Sequence, residues 1–306
     1  MGLTPVQERT LVELMRMDPL PVFDRGLVDD LRADLERRLA PLVSGLGDGE
    51  MIWLSKGKLS DLHSRCEGLF LANHLREGEF ELGWQLALGS LTHRAIGISV
   101  NLASRADAEL VEAALAQIRR DDPGFDEFCR GLGEADIAAL ESEAVERVLL
   151  FRATFPPLQK AWSPAVEPSL KVPLAGERVV ISARPDLLLG GDDPEEPMRA
   201  RRLVIELKTG SHRPEYDDDL RFYALVATLR LGVPPFRAAT FFLDDGSWRA
   251  HPVTPDMLEA AVRRVGGGAE RIGALVGGED PALRPGPWCG WCPRSETCPE
   301  SPHRAD

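Results

Sequence analysis

The sequence predicts an α/β protein: a mixed central sheet flanked by helices, preceded by a helical N-terminal region and ended by a cysteine cluster. Three observations carry this. The first half is a succession of amphipathic segments with leucines at helical spacing. Near residue 160 the pattern turns to short Val/Ile/Leu-rich runs bounded by Gly, Pro or charges, which is how strands read. At 286–300 the chain reads GPWCGWCPRSETCPE, placing three of its five cysteines at Cys289-x2-Cys292-x5-Cys298.

In order, PVQERTLVELMRM and LVDDLRADLERRLAPLV predict helices, as does LSDLHSRCEGLFLANHL, with Ser60 as its N-cap. WQLALGSLTHRAIGISVNLA, ADAELVEAALAQIRR and EADIAALESEAVERVLLF continue the helical region. AVEPSLKVPL, ERVVISARPDLLLG and RRLVIELKTG predict strands, with GDDPEEPMRA as a solvated loop between the last two. DDDLRFYALVATLRLG predicts a helix stopped at Gly232, with Pro234 beyond it. FRAATFFLDD and SWRAHPV predict a hairpin around Gly246, and PDMLEAAVRRV a closing helix. The glycines at 266–268 and 277–278 are expected to be linkers into the cysteines. The expected organisation is a helical region (1–160) carrying Cys66 and His93, an α/β core (161–275) and a cysteine segment (276–306), all one folded unit.

Composition narrows the class. The chain has 306 residues, 43% apolar and 28% charged, enough for a sizeable core. No apolar run reaches membrane-spanning length, and the N-terminus lacks the order of a signal peptide, so a cytoplasmic protein without membrane association is expected. Thiols stay reduced there, which favours metal binding over disulfides for clustered cysteines. A net charge of −13 argues against nucleic acid as a partner and leaves room only for a local basic channel.

The sharpest chemistry lies on two neighbouring strands. ARPDLLL places Asp186 after Pro185, and VIELKTG places Glu206 and Lys208 two apart, hence on one face of a strand. An E-x-K triplet alone is usually a surface pair. A nearby Asp on an adjacent apolar strand gives the burial of all three a reason. Two carboxylates suit a hard divalent cation such as Mg²⁺, the Leu207 carbonyl is a further oxygen ligand, and Lys208 can orient a water or stabilise charge on phosphate.

RPD followed by ELK resembles the PD-(D/E)XK nucleases, and IELKTG resembles their RecB-like branch in particular. The resemblance spans roughly residues 60–300 at motif level. It implies a restriction-endonuclease-like fold and a metal-dependent deoxyribonuclease, expected to act on single-stranded DNA or DNA ends and as an exonuclease rather than an endonuclease. It implies Mg²⁺ or Mn²⁺ held by His93 (in LGSLTHRAI), Asp186, Glu206 and Leu207, with Lys208 assisting the attacking water. DLRFYALVA matches a Gln-x3-Tyr motif with Tyr223 at the tyrosine, but Asp219 stands at the glutamine position. Tyr223, Arg221 and Arg184 are candidate DNA contacts, Lys56 and Lys58 further phosphate ligands, and Glu167 a further acidic contact.

Three clustered thiolates are one short of the four that zinc or an iron–sulfur cluster takes. Some nucleases of this kind, the AddB-type subunit and a CRISPR adaptation nuclease among them, hold a 4Fe-4S cluster on one upstream cysteine and three C-terminal ones. This implies Cys66, Cys289, Cys292 and Cys298, with Trp288 and Trp291 as shields and Cys129 outside the set. Zinc on the same thiolates is the competing occupant. A non-catalytic scaffold subunit of a helicase or defence complex is the alternative function, favoured by Asp219 and the acidic surface. An RNA-directed enzyme and a zinc-stapled sensor are further rivals. No G-x4-G-K-[ST] occurs, so any ATP-driven unwinding would come from a partner.

Overall fold

Leu31, Leu35, Leu39 and Leu42 recur at helical spacing and form one buried stripe of α2 (Leu27–Ser44). A computed structural model, which describes residues 2–47, 49–78 and 82–303, packs that stripe against α10 (Pro255–Val276). The two helices belong to a core that also takes α3 (Lys56–His63), α4 (Glu67–His74) and α9 (Glu215–Leu231). Ahead of them, α1 (Pro5–Arg9) runs into a π-helical turn, Thr10–Met15.

The strands form two mixed sheets rather than one. The larger has the order β2-β5-β6-β7-β8, from Ala165–Val166, Leu187–Leu189, Leu203–Lys208, Arg237–Phe242 and Trp248–Pro252. β6 and β7 are parallel, joined across by α9, and the other pairs are antiparallel. The smaller sheet has the order β1-β4-β3, from Ile52–Leu54, Val179–Ala183 and Leu170–Leu174. β1 comes from the helical N-terminal region and pairs in parallel with β4.

β6 sits at the centre and its alternation divides the molecule. Leu203, Ile205 and Leu207 face a second core built with α5 (Trp84–Asn101), α6 (Asp107–Asp121), α7 (Pro123–Gly131) and α8 (Glu134–Thr154). Val204 faces the first core, so Glu206 and Lys208, in phase with it, turn toward α9. The C-terminal hairpin turns at Gly246, whose φ of 69° suits glycine.

Two local expectations change. Gly266–Gly268 lie inside α10 and are not a linker. A Cβ on Gly266 would stand 2.6 Å from Arg38 Cδ, and one on Gly268 would stand 2.5 Å from Leu59 Cδ2. The glycines therefore let α10 approach α2 and α3 closely, and packing outweighs their weak helix propensity. Ser60 is buried inside α3, which is capped instead by Ser55, whose Oγ accepts from the Lys58 amide; Cys66 occupies the N-cap position of α4.

Candidate active site and cysteine pocket

Antiparallel pairing of Leu187 with Ile205 brings Asp186, one residue ahead of β5, alongside Glu206. The Leu207 amide then donates to Asp186 Oδ2 at 2.6 Å, fixing that carboxylate against β6. α5 delivers His93, whose Nδ1 lies 2.9 Å from Asp186 Oδ1. Burial opposes charge on the imidazole, but the Asp186 carboxylate outweighs it and raises the His93 pKa.

Glu206 is 4% exposed, a costly place for a carboxylate without partners. Lys208 Nζ donates to its Oε1 at 2.9 Å, and Lys56, from the first turn of α3, donates to the same oxygen. Burial would raise the Glu206 pKa, yet the two ammonium groups overcome it and hold it low. Lys56 shows the converse: burial lowers its pKa, while Glu206, Asp219 and Asp186 prevail and raise it. Asp219, on α9, stands 3.7 Å from Lys56 and 3.5 Å from Lys208. The residue at the usual glutamine position is thus one of two carboxylates balancing two lysines. Sequence spacing did not reveal Lys56 as a partner of Glu206, because the two are 150 residues apart.

Tyr223 is buried, its hydroxyl donating to the Arg184 carbonyl at 3.3 Å and its ring centroid 4.9 Å from Lys56 Nζ. Tyr216 packs in the same way against Lys208, at 4.9 Å. The side chain of Arg184 is exposed at the mouth of the site. Arg221 does not join it and pairs with Asp218 at 2.6 Å. Lys58 lies outside the cleft lining, its pKa lowered first by burial and then by Arg76.

His93, Arg184 and Lys208 separate two open clefts. The first, about 600 Å³, holds Asp186, Glu206, Lys56 and Tyr223. The second, about 670 Å³, is lined by Glu167, Asp121, Asp122 and Tyr216. Glu167 donates its amide to the Asp186 carbonyl at 2.9 Å, placing it next to the catalytic candidate but in the second cleft.

Far along the chain from β6, Cys66, Cys289, Cys292 and Cys298 line one small pocket with Leu69, Leu283, Pro285 and Trp288. Trp288 is part of its wall, donating its indole N–H to the Arg284 carbonyl at 2.8 Å. Trp291 is 58% exposed and does not line it. The Arg284 amide donates to Cys66 Sγ at 3.4 Å. Burial pushes the Cys292 thiol up, and the other three sulfurs push the same way. Cys129 is buried in the second core.

Three arginines clasp this segment to the N-terminal helices. Arg271 binds Glu67 through two nitrogens at 3.0 and 2.7 Å. Arg294 holds Glu77 at 2.5 and 2.6 Å. Arg284 donates to the Leu62 and His63 carbonyls.

The residues can be tested against the ions they would hold. Among the described residues, no three His, Cys, Asp or Glu side chains already stand at ligating geometry. The donor chemistry nevertheless fits at both places. Glu206 Oε2 is buried and has no hydrogen-bond partner among the described residues, an oxygen left over in the cleft that Asp186 and His93 also line. Four thiols sharing one pocket form a soft donor set suited to zinc or iron–sulfur chemistry.

The family model of the PD-(D/E)XK nuclease superfamily matches residues 55–299, and the chain belongs to that superfamily. Its fold is similar to that of a candidate exonuclease from Eubacterium rectale, at 16% identity over 76% of this chain and 84% of that one, with a TM-score of 0.50. A weaker similarity is to the structure of SSO0001, at 13% identity over 87% of this chain and 95% of that one, with a TM-score of 0.34. No curated protein matches the chain significantly. Among the described residues, no helix is long and apolar enough to cross a membrane.

Proposed function

We propose that this nuclease is a metal-dependent deoxyribonuclease of the RecB-like branch, cleaving single-stranded DNA or DNA ends as an exonuclease, and stapled by a four-cysteine iron–sulfur cluster. The observation that carries the catalytic reading is the convergence of His93, Asp186, Glu206 and Lys208 in one cleft, where Glu206 Oε2 has no hydrogen-bond partner among the described residues.

His93, Asp186, Glu206 and the Leu207 carbonyl would hold Mg²⁺ or Mn²⁺, which when bound polarises the phosphate and acidifies water. With its Nδ1 engaged by Asp186, His93 would ligate through Nε2. Lys208 is held between Glu206 and Asp219, a position from which its ammonium can orient water and stabilise charge developing on the phosphate. Lys56 adds a second cation on the same side, and Arg184 a third at the mouth. Asp219 holds both lysines in place and, after Glu206, helps keep Lys56 charged. That supports catalysis over the scaffold reading, since an abandoned site has no need of so balanced a set.

The cysteine pocket serves structure. Cys66 stands at the N-cap position of α4, and the Arg284 amide donates to its sulfur, which fixes that ligand at the pocket wall. A cluster there would join an early helix to residues more than 200 positions later, coupling its assembly to folding. The three sequence segments, 1–160, 161–275 and 276–306, then work as one unit.

The test is cleavage of end-labelled single-stranded DNA by anaerobically purified protein with Mg²⁺, Mn²⁺ or EDTA, beside Lys208→Ala. Metal-dependent cleavage lost in the variant is expected, and cleavage untouched by the substitution overturns the assignment. Broad visible absorption that disappears in Cys289→Ser is expected for iron–sulfur; a colourless, zinc-loaded protein overturns that occupant.

A further inference from the structure

The net charge of −13 makes the distribution around the first cleft informative. Among the described residues, that cleft is lined by no carboxylate besides Asp186 and Glu206; its cations are Lys56 and Lys208, paired with Glu206 and Asp219, and Lys171 and Arg184. Through Ser169 and Lys171 it continues into a groove of about 450 Å³ that adds Arg32 and Arg230, again without a carboxylate among the described residues. The second cleft, across His93, carries Asp121, Asp122 and Glu167.

The floor of the basic path is the outer face of the small sheet. Leu54, Ile181 and Val172 pair in register and turn inward, all 0–1% exposed. Their neighbours Trp53, Ser182 and Lys171 therefore turn outward, with Arg184 two residues beyond Ser182. Trp53 is 42% exposed, an indole left in a cleft mouth. Lys171 Nζ lies over its ring, 5.2 Å from the centroid, which orients the indole and sets a cation against one of its faces.

We infer that Trp53 is a base-stacking platform for single-stranded DNA, with Lys171 and Arg184 holding the flanking phosphates, so that the strand reaches the carboxylates along the small sheet and not through the acidic cleft. An aromatic face flanked by cations recognises a strand whose bases are unpaired, whatever their sequence. A duplex hides those faces. The inference rests on the nuclease reading above and names the route of its substrate.

The experiment measures binding of fluorescein-labelled oligothymidylate by anisotropy in Ca²⁺, for wild type, Trp53→Ala, Trp53→Phe and Lys171→Ala. Melting temperatures verify that each variant folds. Trp53→Ala should weaken binding about tenfold, with Trp53→Phe restoring most of it. Lys171→Ala should reduce the salt slope by about 0.7. In the cleavage assay, Trp53→Ala should raise KM for the single strand and leave kcat unchanged. Wild-type affinity in folded Trp53→Ala, or no binding by wild type, overturns the inference. Lys208-dependent cleavage indifferent to Trp53 would sink the platform alone; Trp53-dependent binding without cleavage would sink the catalytic reading alone.

Discussion

The carboxylate cleft and the cysteine pocket are both assembled from distant segments, but they are held in opposite ways. In the cleft, the side chains that would do chemistry also position one another: two lysines balance two carboxylates, and an amide of β6 fixes Asp186. In the pocket, the other three sulfurs oppose ionisation of Cys292 and offer it no ion pair, so arginine clasps outside it bring its walls together. A site of opposite charges can be preformed by its own electrostatics. A site of like ligands needs an external frame until a cation arrives.

The contrast breaks most sharply at Lys208. Lys208→Ala should lower kcat by about 10²–10³-fold, the range for loss of one charge-stabilising donor, while Lys56, still paired with Glu206, keeps the fall in melting temperature small. If stability fell as far as activity, the cleft would be a structural ion network. On the proposed iron–sulfur reading, Cys289→Ser should do the reverse: visible absorption is lost, the protein melts at lower temperature, and residual activity follows the folded fraction.

Glu67→Gln tests the frame and should cost about 2 kcal/mol in denaturant unfolding, the scale of charged hydrogen bonds. Arg271 first, and then the Ala282 amide, hold the Glu67 pKa below its ordinary 4.5, against the opposing effect of burial. A carboxylate depressed in the folded state contributes stability above its unfolded pKa and loses it as pH falls through the folded value. The gap between wild type and Glu67→Gln should therefore close below about pH 4. A gap independent of pH would mean that packing, not charge, makes the clasp. Smallest is Gly268→Ala, expected to cost about 1–2 kcal/mol because Leu59 and His63 must give way to the new methyl. Its effect should reach the cysteine pocket, through α3 and α4, more than the cleft.

Much of this was legible in the sequence because it is local. The i, i+2 spacing of Glu206 and Lys208, the glycine stop at 232, the hairpin about Gly246 and the C-terminal cysteine spacing each express one element's geometry. Lys56 read as a phosphate ligand, but its pairing with Glu206 escaped because those partners arrive only through tertiary contacts, 150 residues apart in the chain. Asp219 read as a defect while its compensating cation was out of sight. The glycines of α10 misled for a related reason: glycine breaks an isolated helix, and only a neighbour pressed against it turns the missing Cβ into an advantage.

The short strand β1 has a kinetic consequence. It pairs with β4 more than 120 residues later, and Lys56, two residues past its end, waits for β6 and α9. Such non-local contacts form late, since loop closure must precede their reward. Folding should therefore build the helices first and the competent cleft last, so that recovery of cleavage lags recovery of helical signal when the denatured chain is diluted into buffer.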